Sequence, residues 1–114
     1  MKNTITILIL GLLVWGGLCD PVYSYAADNE RIEREYHTNG RPRLYVKFNG
    51  EQIVRKIAYY ENGYKLYDYK YKNGVLVVIK NYYESGRLKS VWTRKAMATT
   101  FYREDGQVEI VVNN

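Results

Sequence analysis

Cysteine occurs once in the 114 residues, at Cys19, and histidine once, at His37. A lone cysteine excludes the disulfide framework with which small exported domains often staple themselves. A single histidine leaves no Ser-His-Asp or Cys-His set for acyl transfer. From Gly40 onward the glycines stand at turn signals, none in a loop of the kind that cradles phosphate. No window carries an apolar stripe of helical period or a helix cap. Acidic residues are outnumbered, 12 against 17 Lys and Arg, for a net charge of +5. An excess of that sign favours anionic partners.

What is present begins with Lys2 and an apolar run of 14 residues, Ile5 to Leu18. That run is shorter than the ~20 residues of a spanning helix. Pro21 breaks it, and Ser24 and Ala26 place small residues at −3 and −1 of a cut before Ala27. The order of charged end, apolar core, breaker and small-x-small cut predicts a cleavable signal peptide over residues 1–26. The expected location is therefore periplasmic or extracellular, with no transmembrane span left after cleavage. Leu18 stands before Cys19, where a lipoprotein signal wants a small residue. The mature domain, 27–114, would contain no cysteine and would keep the +5 charge, since the signal removes one base, Lys2, and one acid, Asp20. A cysteine-based metal site or thiol nucleophile is thereby excluded from it.

The rest of the chain is written in tyrosine and glycine, with 11 of the 13 tyrosines and 6 of the 9 glycines. Gly40, Gly63, Gly86 and Gly106 are 23, 23 and 20 residues apart, and each follows a tyrosine by four: Tyr36, Tyr59, Tyr82, Tyr102. Asn39, Asn62, Ser85 and Asp105 stand just before the glycines. A second turn signal follows at Asn49-Gly50 and Asn73-Gly74, and Ala96 takes that place in the third unit. Asn-Gly and Asp-Gly supply the positive φ that tight hairpins need. Between them, runs rich in Tyr, Val, Ile and Thr suit a pleated strand. The pattern predicts an all-β antiparallel meander with strands near 31–37, 42–48, 51–60, 65–72, 75–83, 88–95, 98–102 and 108–112, Pro42 opening a strand where its missing N–H is tolerated. A repeated unit of this size buries its face by stacking on its neighbours, so the meander is expected to curl over its own apolar side.

The segments Tyr59-Tyr60-Glu61-Asn62-Gly63-Tyr64-Lys65-Leu66, Tyr71-Lys72-Asn73-Gly74 and Tyr82-Tyr83-Glu84-Ser85-Gly86-Arg87-Leu88-Lys89-Ser90 resemble the bacterial variant of the MORN repeat. The likeness spans residues 36–110. His37 and Pro42 depart from the pattern, and the third unit lacks its second glycine. The resemblance implies an all-β, non-enzymatic domain of about 23-residue repeats, an antitoxin-like naming, and contacts with proteins or lipids.

Three groups of residues are candidates for a site. Glu33, Glu35 and His37 alternate on the first strand and share one face, an arrangement able to hold a divalent cation. Arg31 and Arg34 beside them favour a plain charged edge strand that deters pairing. Tyr67, Tyr69 and Tyr71 form a row with Lys65, while Lys70 and Lys72 project to the other side. Such rings serve either as a contact surface beside the lysines or as a ladder that stabilises the sheet. Trp92 shares a face with Arg94, so the indole serves either to hold a cation or, as the plainer use, to pack within the sheet. No catalytic residue, metal or cofactor is expected. The expected function is non-catalytic binding of an envelope or extracellular partner, a protein, anionic lipid or glycan, through Tyr67, Tyr69, Tyr71, Lys65, Lys70, Lys72 and Trp92, with no nucleic acid. The alternative is an antitoxin- or immunity-like protein that neutralises a toxic partner.

Overall fold

The computed structural model describes residues 29–114; the expected signal over residues 1–26 lies outside them. Eight strands follow one another: β1 (Glu30–Tyr36), β2 (Pro42–Asn49), β3 (Gln52–Tyr59), β4 (Lys65–Lys72), β5 (Val75–Tyr82), β6 (Leu88–Thr93), β7 (Ala98–Tyr102) and β8 (Val108–Asn113). They form a single sheet in chain order, every neighbour antiparallel. No helix occurs among the described residues. The expected all-β meander is therefore present, with ends shifted by a residue or two. The largest shift is in β6, which stops at Thr93 because Arg94 to Met97 turn the chain, with Met97 N–H donating to Thr93 O at 2.9 Å.

The expected curling over an apolar side is not what forms. The sheet stays open, with β1 and β8 as its edges, and all residues of both strands are exposed. Burial is lateral, within one layer. Ala58 is flanked by Leu44 and Tyr67 on the adjoining strands, and Ile57 by Tyr45 and Asp68. With Val46 they are the buried apolar residues, and they divide between the two faces. Long side chains shield the small ones beside them, so neither face presents a uniform apolar layer for closure.

Six of the seven hairpins slip register by one residue, leaving Arg43, Val54, Leu66, Val77, Lys89 and Glu109 unopposed. Such bulges bend the strand and sharpen its twist.

The turns after β1, β3, β5 and β7 fall at one end of the sheet and are built alike. The amide of His37, Tyr60, Tyr83 or Arg103 donates to the carbonyl four residues on, at 2.8 Å each time, and the glycine amide donates back. The four glycines have φ of +86°, +96°, +92° and +91°. Neighbouring turns are tied together. Asn39 Nδ2 donates to Glu61 O at 3.1 Å, and Asn62 Nδ2 to Glu84 O at 2.9 Å. Tyr60 Oη donates to Tyr82 O and Tyr83 Oη to Tyr102 O, both at 2.8 Å. His37, which departs from the tyrosine pattern, makes the same link: its Nε2 lies 2.9 Å from Tyr59 O and must carry the proton.

Candidate binding faces

Side chains alternate across a strand, and directly opposed residues share a face. The register therefore sorts the charges. Among the directly opposed residues, one face carries Arg34, Lys47, Arg55, Lys65, Lys70, Lys72 and Lys80, with Glu30 and Asp68 as its acids. The other carries Arg31, Glu33, Glu35 and Lys56, which cancel. That second face also carries Phe48, Tyr67, Tyr69, Tyr71, Ile79, Trp92 and Phe101, with Asn81, Ser90 and Thr99 among them. The sheet thus has a basic side and an aromatic side.

The structure separates the rings from the lysines that the sequence places beside them. Tyr67, Tyr69 and Tyr71 do share a face, with Tyr67 and Tyr69 stacked at 4.3 Å between ring centroids. Lys70 and Lys72 point away from them, as alternation requires. Lys65 leaves the row as well: the slip at Leu66 sets it opposite Tyr59, and its Nζ lies 3.0 Å from Asp68 Oδ2 on the basic face. The cation beside the ring row is Lys56, directly opposite Tyr69. Burial raises the Tyr69 phenol above its usual range, Tyr67 and Tyr71 add to that, and Lys56 opposes it. Trp92 lies on the aromatic face opposite Ile79 and Thr99, and the Arg94 guanidinium sits 6.0 Å from its ring centre, while Arg94 Nε donates to Leu76 O.

The basic face is organised around Asp68, which is only 3% exposed. Arg55 grips it with two bonds, Nε to Oδ1 at 2.9 Å and Nη2 to Oδ2 at 2.6 Å. Lys80 stands directly opposite on β5. Burial pushes the Asp68 carboxyl up, but hydrogen bonds from Arg55 and Lys65, with their charges, outweigh it and hold the group at about 2. The bond to Asp68 in turn raises Arg55. One buried anion thus fixes two cations, while Lys70 and Lys72 stay exposed. Tyr45, Tyr59 and Tyr82 are interleaved with the bases, the Lys65 ammonium 6.0 Å from the Tyr82 ring centre and the Arg34 guanidinium 5.7 Å from that of Tyr45.

The first-strand trio does not converge. Glu33 pairs with Arg31 at 3.3 Å, Glu35 with Arg43, and His37 is turned to the Tyr59 carbonyl. Arg55, Asp68 and Lys80 were not among the residues singled out from sequence. Extending the alternation across each hairpin would have grouped them, but only with the one-residue slips, which no composition rule marks. No family model, curated protein or solved structure matches the chain.

Proposed function

We propose that this chain is a non-catalytic, exported MORN-like repeat domain that binds an anionic envelope or extracellular partner through its basic face. The observation that carries the reading is the sorting of charge among the directly opposed residues: seven cations and two acids on one face, against two of each on the other. Fixed cations interleaved with rings suit carboxylate, sulfate or phosphate groups displayed on a surface. The recurring turns and their 22-residue links support the repeat reading. Acid–base chemistry finds little purchase, since Asp68 is locked between two cations and His37 is committed to a backbone carbonyl. An acidic protein, as an immunity-type role would need, is one case of the same chemistry.

The test compares binding to an immobilised acidic glycan, to vesicles rich in anionic lipid and to acidic envelope proteins across a salt series. Lys70, Lys72 and Lys80 changed together to Gln should remove most of the salt-dependent binding. Tyr69→Ala, on the other face, should leave it unchanged. Equal binding by the triple variant and the parent, or no binding to any of the three at low salt, sinks the proposal.

A further inference from the structure

The two edges of the sheet differ in kind. β1 carries Glu30, Arg31, Glu33, Arg34 and Glu35 among its seven residues. β8 reads Val-Glu-Ile-Val-Val-Asn, and Val108, Ile110, Val111 and Val112 are 54%, 52%, 54% and 40% exposed. Charged edges deter strand addition, whereas an uncovered apolar edge invites it. Among the described residues β8 pairs only with β7.

The backbone of β8 is also in phase for pairing. Asn114 N–H donates to Met97 O at 2.7 Å. Hydrogen-bonded and non-bonded pairs alternate along an antiparallel ladder. Along the unbroken ladder, residues 114, 112 and 110 therefore direct their amides and carbonyls to β7, and Val111 and Asn113 direct theirs outward. We infer that the outer edge of β8 pairs antiparallel with β8 of a second copy of this chain, across a two-fold axis at Val111. In that register Val111 faces its own counterpart. Ile110 meets Val112 of the other copy on the aromatic face, as a non-bonded pair whose side chains come close. Glu109 meets Asn113, which keeps the two carboxylates apart.

The alternatives fit less well. Pairing β8 with β1 of the next copy would set Ile110 and Val112 beside Glu33 and Glu35 or Arg31. It would also form an open, non-closing chain of sheets. The links between turns stop at this end too: Arg103 stands where Tyr60 and Tyr83 reach the next turn, and it bonds Gln107 Oε1 of its own turn at 2.6 Å. A two-fold pair of β8 strands closes instead, and it joins the two basic faces into one. The inference does not depend on what those faces bind.

One strand edge is a small interface, so the pair should dissociate on dilution. Sedimentation velocity of the purified protein over a concentration series tests it. The mass should rise from one chain to two and go no further. Val111→Pro deletes an amide that β7 does not use, so the fold survives while the edge bond is lost; it should stay monomeric at every concentration. Ile110→Lys, which sets new positive charges across the axis, should do the same, and it decides the matter if circular dichroism finds the proline variant unfolded. A protein monomeric up to its solubility limit, a mass that climbs past two chains, or a dimer that persists in the folded variants would each overturn the inference.

Discussion

Arg55 on β3 and Asp68 on β4 form a two-pronged ion pair at 2.6 and 2.9 Å, with the carboxylate buried and the guanidinium about a third exposed. Breaking a fully buried pair from one side costs ~3–5 kcal/mol. Here the exposure of Arg55 and Lys65 lowers that, and Asp68→Asn is expected to cost about 2–3 kcal/mol in chemical denaturation. The folded carboxyl is at about 2 against an ordinary 3.8, so its contribution is present above the unfolded value and is lost as pH falls through the folded one. That amounts to about 2 kcal/mol, declining between roughly pH 5 and pH 2. Denaturation midpoints measured through that window should drop more steeply for the parent than for Asp68→Asn. Parallel curves would show that Asp68 is not held low.

Gly86 and Tyr64 make a second close relationship. A Cβ added at Gly86 would lie 3.0 Å from the Tyr64 ring, whereas one at Gly40 would meet nothing within 4 Å. Both glycines have positive φ, which costs a side chain about 1–2 kcal/mol. Gly40→Ala should show that cost alone. Gly86→Ala should exceed it, because the ring must also move. Urea midpoints of the two variants check the order, and a larger loss at Gly40 would contradict the stacking of Tyr64 on the third turn.

The strands and turns were legible because tyrosine, glycine and alternation are local signals, and Asn39, Asn62, Ser85 and Asp105 announced four turns of one kind. The ring row of Tyr67, Tyr69 and Tyr71 followed from alternation within one strand. What lies across strands was not legible. The position of Lys65 depends on one unopposed residue, Leu66, and a slip of one reverses the face of everything beyond it. His37 looked like an intrusion because its role is to donate to a carbonyl 22 residues away, which an imidazole does as well as a phenol.

The turn between β6 and β7 illustrates a cost the sequence hid. Ala96 fills the place of the missing glycine, yet the strained residue is Met97, with φ of +52°. Its side chain is 48% exposed, so little packing is lost on removing it. Met97→Gly should therefore stabilise the protein by about 0.5–1 kcal/mol, the left-handed penalty offset in part by glycine's unfolded-state entropy. A rise in thermal midpoint is the expected reading; a fall would place the Met97 side chain in a contact that matters.

Tyr60 and Tyr83 offer the sharpest test of whether the turns act as a connected row. Each hydroxyl crosses to the carbonyl of the next turn, and the third turn receives one bond through Tyr82 O and sends the other from Tyr83. Burial raises the Tyr60 phenol above its ordinary value, with Glu84 adding to the effect, so the group stays protonated and donating across the neutral range. Tyr60→Phe and Tyr83→Phe keep the rings and delete only the bonds, for an expected loss of about 1 kcal/mol each. Were the turns independent, the double variant would lose the sum. Because both bonds brace the same turn, losing the first loosens the carbonyl geometry that the second needs, and the losses should depart from additivity by about 0.5 kcal/mol or more. Denaturation of the four proteins in a double-mutant cycle measures that departure. Strict additivity would show turns that share a pattern but do not support one another.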